Sequence, residues 1–99
     1  MIQGTTPTHI FYIKFETSLI KKISIIYVQN DETILLKKEN DVILKDKEIS
    51  FKLTQEETLK FKENDLVNIQ LKIKTISDDV YVSDIIVSDI KEVLDKEIF

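Results

Sequence analysis

The chain has 99 residues, enough for one domain, and its 14 basic and 18 acidic side chains leave a net charge of −4. Every basic residue is Lys, Cys is absent, and Gly, Pro and His occur once each. An acidic chain without Arg lacks the guanidinium forks and basic face of nucleic-acid recognition. A chain without Cys has no disulfide framework, zinc ribbon or thiol nucleophile, and a single Gly leaves no phosphate-cradling loop.

The 17 Ile, 7 Val and 8 Thr are β-branched, and Ala, the best helix former, is missing, so composition leans towards sheet. Residues 1–7 fall outside any core-forming period. They contain Gly4 and Pro7, and Pro7 biases Thr6 to extended geometry, which predicts an N-terminal arm. Phe11, Ile13 and Phe15 then alternate with Tyr12 and Lys14, and residues 17–20 allow a single helical turn. Ile23, Ile25 and Tyr27 alternate next. Gln29-Asn30-Asp31-Glu32 reads as a turn, followed by a strand over residues 33–38. Asn40-Asp41 breaks that strand, residues 42–44 form a short one, and Lys45-Asp46-Lys47 is a tight turn. Ile49, Phe51 and Leu53 alternate with Ser50 and Lys52. Thr54-Gln55-Glu56-Glu57 matches a capping box and predicts a helix of about two turns, with Leu59 facing the core and Phe61 just beyond. The clearest strand covers residues 66–75, where Val67, Ile69, Leu71 and Ile73 alternate with polar residues. Ser77-Asp78-Asp79 turns the chain into a last strand from Val80 to about Val87. A weaker helical pattern runs from Ser88 or Asp89 to Lys96.

This order predicts a mostly β fold: an Ig-like β-sandwich of about six or seven strands with one short helix. The expected single domain spans residues 1–99, with residues 1–7 as the arm and residues 88–99 as a C-terminal tail. No apolar run approaches the roughly 20 residues of a membrane span. The start of the chain lacks the basic and apolar regions of a signal peptide. A soluble, intracellular protein is therefore expected.

Candidate chemistry is sparse. His9 precedes the first strand with no Cys to join it and only Glu16 near it in sequence, so a strand-start histidine is preferred to a general base or metal ligand. The acidic stretch of Asp78, Asp79, Asp84 and Asp89 lacks the alternate ligand spacing and turn Gly of a calcium loop and reads as a solvated edge. Glu56 and Glu57 are adjacent on the helix and diverge, unlike paired glycosidase carboxylates, and capping accounts for them. Lys52, Lys72 and Lys74 lie on the polar faces of strands, where charge guards sheet edges. No catalytic residue, metal or cofactor is expected, and the chain is not expected to be an enzyme. The termini offer contact surface instead: Ile2, Pro7 and His9 at the start, and Val93, Leu94, Ile98 and Phe99 at the end. An apolar end packs either on its own sandwich or on another chain.

Three segments are distinctive together: Gly4-Thr5-Thr6-Pro7-Thr8-His9, then Leu53-Thr54-Gln55-Glu56-Glu57-Thr58-Leu59-Lys60-Phe61, then Val67-Asn68-Ile69-Gln70. With the Val93-Leu94-Asp95 tail, they resemble a group of small, uncharacterised proteins of the tail or late structural region of phages and prophages of Firmicutes-like bacteria. The resemblance spans nearly the whole chain. It implies a phage context, with no catalytic residues to carry over. The function expected from it is that of a phage structural or adaptor protein acting by protein–protein contact. Its partners would be itself, as a homo-oligomer, or other phage proteins, with no nucleic acid and no membrane. It would reside in the host cytoplasm during assembly and in the virion tail. The alternative is a phage-encoded inhibitor or regulator that binds a host protein.

Overall fold

The computed structural model describes residues 1–99. Eight strands and one short α-helix follow one another: β1 (Thr8–Tyr12), β2 (Ile20–Gln29), β3 (Glu32–Lys38), β4 (Ile43–Lys45), β5 (Glu48–Lys52), α1 (Gln55–Leu59), β6 (Asp65–Thr75), β7 (Val80–Val82) and β8 (Ile86–Ile90). Single 3-10 turns at Thr17–Leu19 and Glu39–Asp41 join β1 to β2 and β3 to β4.

Two antiparallel sheets form, one ordered β1-β5-β4 and the other β3-β2-β6-β7, with β8 also on β6. Strands β7 and β8 pair with successive stretches of β6, Lys72–Lys74 facing Val80–Val82 and Asp65–Ile69 facing Ile86–Ile90. They are two halves of one edge strand, interrupted at residues 83–85. There Ser83 Oγ accepts from the Leu71 N–H at 3.0 Å, and the Ser83 N–H donates to the Leu71 carbonyl at 2.8 Å. This is the strand order of an Ig-like sandwich, B-E-D on one sheet and C′-C-F-G on the other. Residues 1–3 hold the place of strand A, where Ile2 makes a parallel bridge to Lys91 beyond β8.

The core lies between the sheets because the period-two pattern turns one face of each strand inward. Ile23, Ile25 and Tyr27 of β2 pair with Ile73, Leu71 and Ile69 of β6, and all six are buried. Ile49 and Phe51 of β5 face them, with Leu53, Phe61, Val67, Leu35 and Ile90 completing the layer. Removing such a side chain from water contributes roughly 1.5–3 kcal/mol.

Turns that need left-handed backbone use Asn and Asp in place of Gly. Asn30, Asp31, Asp46, Asn64 and Asp78 all have positive φ. Asn30 and Asp31 link Gln29 to its pair Glu32, the two-residue connection whose twist suits a hairpin. Short side chains that bond locally tolerate this region best.

Helix α1 starts as its capping box predicts. Thr54 Oγ1 accepts from the Glu57 N–H at 3.1 Å, and Glu57 Oε1 accepts from the Thr54 N–H at 3.0 Å. The helix is shorter than two turns, and Thr58 is its fully buried residue, with Leu59 half-buried. Three further expectations need correction. The pattern over residues 88–96 forms no helix. Instead Ile90 sits opposite Asp65 in β8, its carbonyl accepting from the Asn64 N–H at 2.8 Å, and the Lys91 N–H donates to the Met1 carbonyl at 2.9 Å. Sheet pairing takes the backbone groups a helix would use. The tail therefore begins at residue 91, not 88. Residues 1–7 are not a free arm either, since they are bonded to the body of the domain.

Candidate functional site

Residues named as terminal contacts fall in two places. Around Gln3, which is buried, the two chain ends meet α1 and the loop after it. The Gln3 side-chain amide donates to the Phe61 carbonyl at 2.7 Å and to Glu63 at 3.1 Å, while its oxygen accepts from Lys96 Nζ at 2.6 Å. The Gln3 N–H donates to the Lys91 carbonyl at 3.0 Å. Gly4 follows with φ +72°, close under Leu59 and Val93. The Thr58 hydroxyl donates to the Thr5 carbonyl at 2.8 Å, and the Pro7 carbonyl accepts from the Leu53 N–H at 2.9 Å. The arm, the capped helix and the Val93 tail are thus one packed junction. Ile2, Pro7 and Val93 serve it. Leu94 and Phe99 project from it, 92% and 90% exposed, with Ile98 less so.

His9 lies elsewhere. Alternation in β1 turns His9 and Phe11 inward and Thr8, Ile10 and Tyr12 outward. His9 Nδ1 is 2.5 Å from the Tyr27 hydroxyl, and its ring lies 5.9 Å from that of Phe51, edge to face. Burial, with the N-terminal charge adding to it, holds the imidazole below its usual pKa and favours the neutral ring. Burial, reinforced by Glu57, pushes the Tyr27 phenol up and keeps it protonated. His9 completes the edge of the core and leaves no imidazole nitrogen beside a carboxylate. No group of three or more His, Cys, Asp or Glu side chains is placed to hold a metal ion. No helix is long and apolar enough to cross a membrane.

The surface that pattern reading missed is the open side of the sandwich, where β1 ends one sheet and β7 with β8 ends the other. A cleft of about 550 Å³ runs between these edges, lined by Phe11, Ile13, Phe15, Leu71, Ile73 and Tyr81 among others. Leu71 and Ile73 are its buried lining residues, and the rings of Phe15 and Tyr81 lie with centroids 5.4 Å apart. The rim is apolar too. Tyr12 and Val82 on its lining, and Ile10, Ile86 and Val87 next to it, are exposed. In a complete Ig-like sandwich this side is covered by strand A, which here stops after residue 3. The sequence signal was present: β1 is apolar on both of its faces at Ile10, Phe11 and Tyr12, unlike β6.

Searches of protein-family models, curated proteins and solved structures found nothing that matches this chain.

Proposed function

We propose that the chain is a phage structural or adaptor protein of the tail or late region, acting by protein–protein contact and without catalysis. The observation that carries the contact reading is the open side: an apolar cleft between two sheet edges, rimmed by exposed Ile, Val and Tyr. Exposed apolar surface of this extent is characteristic of a surface that meets another protein. Extended chains bind such edges through main-chain bonds, with side-chain pockets adding selectivity. The phage context rests on the resemblance carried by residues 4–9, 53–61, 67–70 and 93–95.

Quantitative mass spectrometry of purified particles from a host carrying the gene tests this reading. Fixed stoichiometry with tail proteins is the expected result. Absence from particles, combined with recovery on a host protein, would replace it with the inhibitor or regulator reading. In either case Tyr12→Glu and Val82→Glu on the rim should weaken capture of the partner, whereas Lys96→Ala on the junction should not.

A further inference from the structure

The four sheet edges are not alike. Strand β4 is three residues long. Strand β3 carries Glu32, Lys37 and Lys38. The β7–β8 edge is broken at residues 83–85 and carries Asp84 and Asp89. Short length, charge and interruption are the usual guards against unwanted strand pairing. Strand β1, Thr-His-Ile-Phe-Tyr, has none of them. Its outward side chains Ile10 and Tyr12 are 45% and 74% exposed.

The backbone of β1 fixes what such an edge accepts. Leu53 N–H donates to the Pro7 carbonyl and Ile13 N–H to the Lys47 carbonyl, each at 2.9 Å, in the same register as the β1–β5 pairs. Alternation along an antiparallel ladder then points residues 7, 9, 11 and 13 towards β5. Thr8, Ile10 and Tyr12 point their N–H and C=O groups away from the sheet, where no strand of this chain lies.

We infer that this edge pairs with the β1 edge of a second copy, antiparallel about a twofold axis at Ile10, joining the two β1-β5-β4 sheets into one. This rests on the reading of the open side as a contact surface and names its partner. The register is self-complementary. Ile10 opposes Ile10 of the second copy, and Thr8 opposes Tyr12 in both directions, so every outward backbone group of the three residues is bonded. Centring on Thr8 or Tyr12 leaves several of them without a partner. No side chain of β1 is charged, so the twofold sets no like charges face to face. Outside the sheet, the row Ile43, Ser50, Ile10 set by the β4–β5 and β1–β5 registers continues into its own copy. Inside, His9 meets Phe11 of the other chain and extends the aromatic layer of Phe11, Phe51 and Tyr27. A closed twofold is also the commonest symmetry of self-association.

Sedimentation equilibrium of the full-length chain tests the pairing. The expected mass is twice the 11.6 kDa of one chain. Ile10→Lys sets two ammonium groups against each other at the axis. Ile10→Pro removes an N–H that β5 does not use, a substitution that edge strands tolerate. Both should sediment as single chains with an unchanged far-UV spectrum. Because the chain has no Cys, Ile10→Cys introduces a single thiol. Opposed residues of a bonded antiparallel pair lie about 5.5 Å apart at Cα, within disulfide range. That variant should oxidise to a covalent dimer. Thr8→Cys should not do so alone, but should cross-link when mixed with Tyr12→Cys. A full-length chain that stays single at high concentration overturns the inference. So does a dimer that survives both Ile10 changes, or one in which Thr8→Cys self-links as readily as Ile10→Cys. Stoichiometric presence in particles alongside a single-chain mass would leave the contact reading standing and remove self-pairing alone.

Discussion

The side chain of Gln29 closes on both backbone groups of Lys62. Its Nε2 donates to the Lys62 carbonyl at 3.0 Å, and its Oε1 accepts from the Lys62 N–H at 2.7 Å. Gln29 is buried at the end of β2, and the amide copies the pairing a neighbouring strand would make. It pins the loop between α1 and β6 to the end of β2, the strand beside β6. Gln29→Leu keeps the bulk but leaves both Lys62 groups without their partner. It should lower the unfolding free energy by about 1–2 kcal/mol, measured by urea denaturation. An unchanged midpoint would show that water replaces the amide at no cost.

Strand β6 separates its two faces residue by residue. Ile69 is buried against Tyr27, and Lys72 is exposed on the outer face. Ile69→Asp should abolish cooperative folding, because it sets an unpaired carboxylate in an apolar layer. Lys72→Asp should fold with a midpoint close to that of the parent. Thermal melts followed by circular dichroism compare the two, and equal behaviour would contradict the register.

The cap of α1 gives a smaller and separable effect. Thr54→Ala removes the acceptor for the Glu57 N–H and should cost on the order of 1 kcal/mol. Burial works against the Glu57 carboxylate, but hydrogen bonds from Lys37 and from Thr54 outweigh it, and its pKa is lowered. Thr54→Ser, which retains the hydroxyl, should recover most of the loss in a denaturant titration.

Acid sensitivity should begin with His9. Its folded pKa lies below the ordinary value of 6.5, so folding favours the neutral ring. Above pH 6.5 the full contribution is present. As pH falls below that value the unfolded chain takes up a proton first, and stability declines until the folded ring titrates as well. Glu39, Glu57, Glu63 and Asp65 have lowered values and act in a more acidic window, below their ordinary 4.5 and 3.8. The unfolding free energy of the parent should therefore fall between pH 6.5 and 5, and that slope should vanish in His9→Phe. A parent curve flat over that interval would show that the Tyr27 hydroxyl gives the imidazolium as good a site as the neutral ring.

The sandwich was legible because its central strands obey strict alternation. In β6 the pattern of Val67, Ile69, Leu71 and Ile73 states which face is buried without reference to anything else, and the Thr54–Glu57 cap is complete within four residues. What was illegible depends on partners far along the chain. Gln3, Gln29 and Thr58 are polar and buried, and their hydrogen bonds reach Phe61, Lys62 and Thr5 across the fold. No local pattern distinguishes them from solvated residues. The segment around Ser88 and Ile90 suits a helix locally and loses that option because β6 and residues 1–3 claim its backbone. The open side was hidden for a related reason: an edge is defined by a strand that is missing, and alternation describes only strands that are present.

The bridge between Ile2 and Lys91 also orders events in time. Residues 1–3 leave the ribosome before the rest of the domain, yet the backbone that receives them is made almost 90 positions later. Until then Gln3 has neither Lys91 nor Lys96, and the junction beneath α1 is unfilled. Contacts of such separation close late and slow the search for the native state. The nascent chain therefore carries β1 unpaired until β5 is made, and its last sheet edge stays incomplete until β8 and Lys91 follow.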